Sequence, residues 1–188
     1  MVEPQNILDA LDGIALLLDA ELCVVAFGAA NWRAFWHGNG GRGTAPDPRG
    51  RHLPDVLPDG VARAAFRVAL YDVLSGARGP LQMPFRCDAP SLRRDMVLTV
   101  RRCGPSHLLY HSVPVAEHWQ PRLPVGHGSG ARGRCVMCDR VEPRDRGPGE
   151  AIDWDDPRAP DNGSGHELPL RADELCPRCL LKLLGQAA

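Results

Sequence analysis

No stretch of the chain approaches the ~18–20 consecutive apolar residues of a membrane-spanning helix. The first six residues, Met1-Val2-Glu3-Pro4-Gln5-Asn6, hold no basic run, and acidic residues interrupt the apolar stretch that follows, so no export signal is read there. Lysine is nearly missing, with Lys182 the single one, and the remaining basic side chains are arginines. There is no Gly-x-Ser-x-Gly elbow, phosphate loop, His-Glu-x-x-His helix or kinase signature, which leaves the corresponding enzyme classes without their machinery. Acidic pairs such as Asp155-Asp156 sit in loop-like sequence and are read as solvated turn residues. The expectation is a cytoplasmic, non-enzymatic chain with no membrane segment.

What the chain does have is a set of 7 cysteines, four of them in two pairs: Cys135-Val136-Met137-Cys138 and Cys176-Pro177-Arg178-Cys179. Two sulfurs three positions apart fit one tight turn and aim at one point. Two such turns supply the four thiolates of a closed, tetrahedral zinc site. The 37 residues between the pairs exceed the usual spacing of roughly 15–20. Disulfides would need an oxidising compartment. A thioredoxin-like redox pair would need a βαβ setting, which neither pair has. No histidine directly follows either pair, which excludes c-type haem attachment. Structural Zn²⁺ on Cys135, Cys138, Cys176 and Cys179 is the reading, with His166 a substitute ligand that four cysteines make unnecessary.

Charge weighs against nucleic acid as partner. Residues 135–188 carry 7 basic and 11 acidic side chains, a net of −4, while residues 1–134 carry a net of +3. Four thiolates around Zn²⁺ leave a further −2 at the site, whereas phosphate binding asks for a basic surface. A zinc-dependent nucleic-acid-binding regulator is therefore the weaker alternative, as is a thiol redox switch working through zinc release.

Periodicity places the elements. Apolar positions 7, 8 and 11 give a short helix stopped by Gly13, followed by a hairpin of 14–18 and 22–27 turning at Asp19-Ala20-Glu21. An aromatic-dense helix spans 31–37, and 38–50 is a Gly/Pro/Arg loop. A long helix capped by Asp59 runs to Ser75 with Gly76 past its end, its stripe at 62, 66, 69, 70, 73 and 74 facing the core. Strands at 81–87, 95–103 and 107–115 then read as sequential hairpins. The layout is α+β: a five-stranded antiparallel sheet with helices on one face, plus a small zinc-stapled C-terminal module. Residues 1–117 form the first domain, 118–134 a Pro/Gly/Ser/Arg linker, and 135–188 the four-cysteine zinc-binding module. Residues 143–165 are poor in apolar side chains and read as loop. Pro177 and Gly185 frame a closing helix with Leu180, Leu181, Leu183 and Leu184 to dock. Metal coordination should supply much of the folding free energy of so core-poor a tail.

Across roughly residues 5–117 the order of motifs resembles a PAS domain. Gly13-Ile14-Ala15-Leu16-Leu17-Leu18-Asp19 is similar to its first strand, Asn31 with Trp32, Phe35 and Trp36 to its Asn-led aromatic helix, and Gly50-Arg51-His52-Leu53 to the segment before its long helix. The resemblance implies a sensory or interaction domain with a small molecule between sheet and helices, pocket candidates being Trp36, Phe66, Leu70, Leu98 and His111. It also implies a protein partner or homodimer on the other sheet face. Haem is disfavoured, since residues 61–75 offer no proximal histidine. Flavin is disfavoured because the Asn-Cys-Arg motif is absent, and a coumarate chromophore because no cysteine lies near Pro58-Asp59.

Overall fold

The computed structural model describes residues 3–57, 60–89, 92–119, 132–135, 137–138 and 170–185. Helix α1 (Pro4–Ala10) leads through Gly13, whose left-handed φ of +72° presses its backbone against Ser112, into strand β1 (Ile14–Leu18). Strand β2 (Val24–Phe27) pairs antiparallel with β1. The turn between them is organised by Asp19, whose carboxylate accepts the backbone N–H groups of Glu21 (3.1 Å) and Cys23 (2.8 Å), an Asx arrangement. Leu22 there takes a left-handed φ of +63°, uncommon for a branched side chain, and is held by complete burial. That twist is why β2 begins at Val24 rather than at residue 22.

Helix α2 (Ala29–Gly38) receives its cap from another element: the Asp9 carboxylate accepts the Ala29 N–H at 2.7 Å. A 3-10 turn (Leu53–Val56) precedes the long helix α3 (Val61–Ser75). Gly60 is the N-cap of α3, while Asp59 lies outside the described residues. Gly76 ends it in the left-handed conformation, φ +81°. Its buried stripe is Ala62, Ala65, Phe66, Ala69, Leu70 and Val73.

Strands β3 (Leu81–Arg86), β4 (Leu92–Cys103) and β5 (His107–Trp119) complete a five-stranded sheet of order β2-β1-β5-β4-β3, antiparallel throughout. Alternation sends Ile14, Leu16, Leu18, Leu81, Met83, Leu98, Val100 and Leu108 to one face, where Phe66, Leu70 and Val73 of α3 and Leu53 of the 3-10 turn pack against them. Trp32 and Phe35 of α2 border the same core. The molecule is therefore α+β, as the sequence order of elements requires.

Strands β4 and β5 run three to four residues beyond the expected 95–103 and 107–115, through Arg93 and Arg94 on one side and Glu117 on the other. Buried Arg94 explains the extension. Its guanidinium meets Glu117 at 2.9 Å, Asn39 Oδ1 at 2.7 Å and the Gly38 carbonyl at 3.3 Å, and lies over the Phe35 ring at 5.4 Å. A buried cation so fully partnered ties the end of α2 to the sheet.

In the tail, strands β6 (Arg132–Cys135) and β7 (Leu170–Glu174) pair in parallel, and helix α4 (Pro177–Leu183) follows. The tail is seated on the first domain. Leu183 belongs to the main core cluster, and Met137, Leu175 and Leu180 pack against it. Arg78, just past α3, donates from its guanidinium to the carbonyls of Leu183 (2.5 Å) and Lys182 (3.4 Å), closing the C-terminal end of α4 from outside. The expectations for residues 120–131 of the linker, for the insert at 143–165 and for His166 fall outside the described residues. No helix among the described residues is long and apolar enough to cross a membrane.

Candidate metal centre

Both cysteine pairs sit just after strands: Cys135 is the last residue of β6, and Cys176 lies two residues past β7. Parallel pairing brings the two strand ends to the same side, so the two turns face each other. Cys176 is also the N-cap of α4, which carries Cys179 on its first turn, with Pro177 fixing the helical start. The result is a cluster of Cys135, Cys138, Cys176 and Cys179 whose sulfurs all lie within 4.8 Å of one another. The Cys138 and Cys176 sulfurs are 3.6 Å apart. Four sulfurs at ~2.3 Å from a tetrahedral ion stand about 3.8 Å from each other. The cluster could hold a metal such as zinc.

The electrostatics of the bare sulfurs point the same way. Hydrogen bonds from Cys138, Cys176 and Cys179 push the Cys135 thiol far below its ordinary range, while Cys135, Cys138 and Cys176 push Cys179 far above it. Cys176 comes to about 7, raised by Cys135 and lowered by Cys138 and Cys179. Without a cation the first thiolate resists the next. A divalent ion removes that conflict and lets all four ionise. Backbone N–H groups of Cys176 and Cys179 help by donating to the sulfurs of Cys135 and Cys176.

Three sulfurs are buried, and Cys138 is the accessible one. It opens onto a depression of about 220 Å³ lined by Met83, Pro84, Arg178, Cys179 and Lys182. Arg178 and Lys182 are one turn apart on α4, so two cations stand beside a centre that would carry −2 with Zn²⁺ bound.

The five pocket candidates separate. Phe66 and Leu98 line an apolar cavity between α3, the 3-10 turn and the sheet. Leu70 is fully buried in the core and not on that cavity. Trp36 lies on α2 against Gly41, its indole N–H without a hydrogen-bond partner among the described residues. His111 points to the opposite sheet face by strand alternation, where its Nε2 meets the Asp12 carbonyl at 2.7 Å. The cavity residues that sequence reasoning missed are Tyr110, Phe85, Leu53, Val56 and Leu57 and, from the tail, Met137, Leu175 and Leu183. The parity of Leu98 and Tyr110 in neighbouring strands signalled the first; nothing in the sequence signalled the tail.

Tyr110 gives the cavity a measurable property. Burial pushes its phenol up to about 12, with the Ser112 side chain lowering it in part. The folded protein thus holds this proton more tightly than the unfolded chain, whose tyrosines ionise at about 10. The associated stability is complete below pH ~10 and is lost as pH rises from there through about 12. Denaturation midpoints followed across this window are expected to fall in the wild type and to fall less in Tyr110→Phe; identical curves would refute the assignment.

Comparison with family models, with curated proteins and with solved structures returns no match to this chain.

Proposed function

We propose that the chain is a non-enzymatic cytoplasmic signalling protein. In this reading, residues 1–117 are a PAS-type sensor or interaction domain and residues 135–188 a structural zinc module, and the signal passes through a protein partner or a second copy. The observation that carries the zinc half is the four-sulfur cluster. Its ligand set fills a tetrahedral shell and leaves no open position for substrate, which favours a structural ion over a catalytic one. The PAS half is supported by element order: helix, two strands, short helices, one long helix and three strands in one antiparallel sheet.

Elemental analysis with an ultraviolet-visible spectrum of the purified chain tests both halves. One zinc per chain without a haem or flavin band is the expected result; iron with a visible band, or no metal, contradicts it. Sedimentation adds the third test, where a strict monomer at high concentration with no partner recovered counts against the signalling role.

The accessibility of Cys138 favours a second reading, a thiol redox switch. A peroxide would take two electrons from a pair of the thiolates and leave as water, the two sulfurs would join as a disulfide, and Zn²⁺ would be released. Zinc release under mild peroxide, reversed by reductant and added zinc, is the expected signature. Retention of zinc ends this reading and leaves the first intact.

A further inference from the structure

The apolar cavity is built by two parts of the chain. Phe66 of α3, Phe85 of β3, Leu98 of β4 and Tyr110 of β5 form its floor, and Met137, Leu175 and Leu183 of the tail form its cover. Its volume is about 100 Å³, and its lining is almost wholly hydrocarbon and aromatic. An enclosed apolar cavity of about 150 Å³ binds small apolar molecules such as benzene or xenon, and this smaller, partly open one has the same kind of lining.

Each cover residue lies within one helical turn of a metal ligand along the chain. Met137 is the residue before Cys138, Leu175 the residue before Cys176, and Leu183 stands one helical turn after Cys179 on α4. Fixing the four sulfurs therefore fixes the backbone that carries the cover. Freeing them frees it, since α4 has seven residues and short isolated helices are marginal in water. On the side of the sheet and α3, the Arg78 guanidinium clasp and the packing of Leu180 and Leu183 are the contacts among the described residues that hold α4 in place.

We propose that the cysteine module is the metal-set lid of this cavity, so that a zinc ion in the cluster and a small uncharged apolar molecule in the cavity bind cooperatively. The inference rests on the zinc assignment made above and adds to it the ligand class and its regulation. The lid closes on the ligand only when the metal holds it. By linkage, whatever factor the metal adds to ligand affinity, the ligand adds to metal affinity. Charged ligands are disfavoured because the described lining offers no counter-charge, and an unpaired ion there is costly. Tyr110 does not supply one, because its phenol stays neutral below about pH 12.

Benzene is the probe, and the protein is the full chain carrying its zinc, counted by elemental analysis. Benzene affinity is read from methyl chemical shifts with zinc bound and after its removal by a chelator. It is expected to be at least about fivefold tighter with zinc, the lower end of ordinary coupling between sites. The reciprocal measurement is zinc retention against chelator, which benzene should strengthen by the same factor. Met137→Ala keeps all four sulfurs and tests the lid without touching the metal. It is expected to retain one zinc and to bind benzene several-fold more weakly. Equal benzene affinity with and without zinc, or no benzene binding to the zinc-loaded chain, overturns the lid while leaving the zinc assignment standing. A chain that carries no zinc overturns both.

Discussion

Cys135→Ser is expected to yield a chain without stoichiometric zinc and with a protease-sensitive C-terminal tail, while the five-stranded sheet remains folded. Cys135 is, with Cys176, 1% exposed, and it is the sulfur to which the other three direct their hydrogen bonds. A serine hydroxyl there neither ionises at neutral pH nor suits the ion. Structural zinc sites supply about 10–16 kcal/mol of apparent binding free energy, and that energy is folding energy for a segment that cannot fold without it. The tail has little else: among the described residues its own small cluster is Cys135, Cys176 and Cys179 with Met137, Cys138 and Leu175 around them. Cys138→His is the control, because a nitrogen donor at the accessible position preserves a four-ligand shell and should keep the metal. Zinc counted per chain, with proteolysis of the two variants side by side, decides the matter. A Cys135→Ser chain that keeps one tightly bound zinc refutes the assignment.

The second large effect is expected from Leu183→Asp. Leu183 is 1% exposed and is the tail's own contribution to the main core cluster. A carboxylate at that depth has no partner, and an uncompensated buried charge costs about 3–5 kcal/mol. Truncation to alanine costs about 2–5 kcal/mol by loss of packing alone. The chain has a cheaper outcome than carrying that cost, namely to let α4 leave the domain. Leu183→Asp should therefore keep its zinc, since no ligand is altered, and become open to protease beside a still-folded sheet. Hydrogen exchange over β3 and α3, which α4 covers, should quicken. Unchanged exchange there would show that Leu183 does not seat the tail.

How much of this was readable beforehand depended on the length of each pattern. The stripe of α3 spans fifteen residues and repeats often enough to be unambiguous, and the alternation in β3 to β5 fixed which faces meet. The metal centre was readable because two identical short spacings are an unlikely coincidence and thiolate chemistry admits few alternatives. The ends of β4 and β5 were not, because nothing apolar marks Arg93 and Arg94 as strand until Arg94 is seen to be satisfied by Glu117 and Asn39. The left-handed Leu22 carried no signal, since nothing in an apolar run marks one member for an unusual φ. The pairing of Arg132–Cys135 with Leu170–Glu174 was invisible for lack of length; four or five residues hold no measurable period. The docking of α4 depends on surface shape, which its four leucines advertise without naming a target.

The orientation of that small strand pair also sets a lower limit on the gap between the cysteine motifs. Two strands joined by a tight hairpin run in opposite directions, whereas strands running the same way need a return path of a dozen residues or more. If the gap were cut to hairpin length, β7 would have to reverse. The second motif would then emerge at the far end of a ladder roughly 13 Å long, four residues at ~3.3 Å each. No single ion reaches across that distance. A chain shortened to hairpin length could keep every sulfur and still lose its metal, so engineering of the intervening segment is bounded below by the length of that return path.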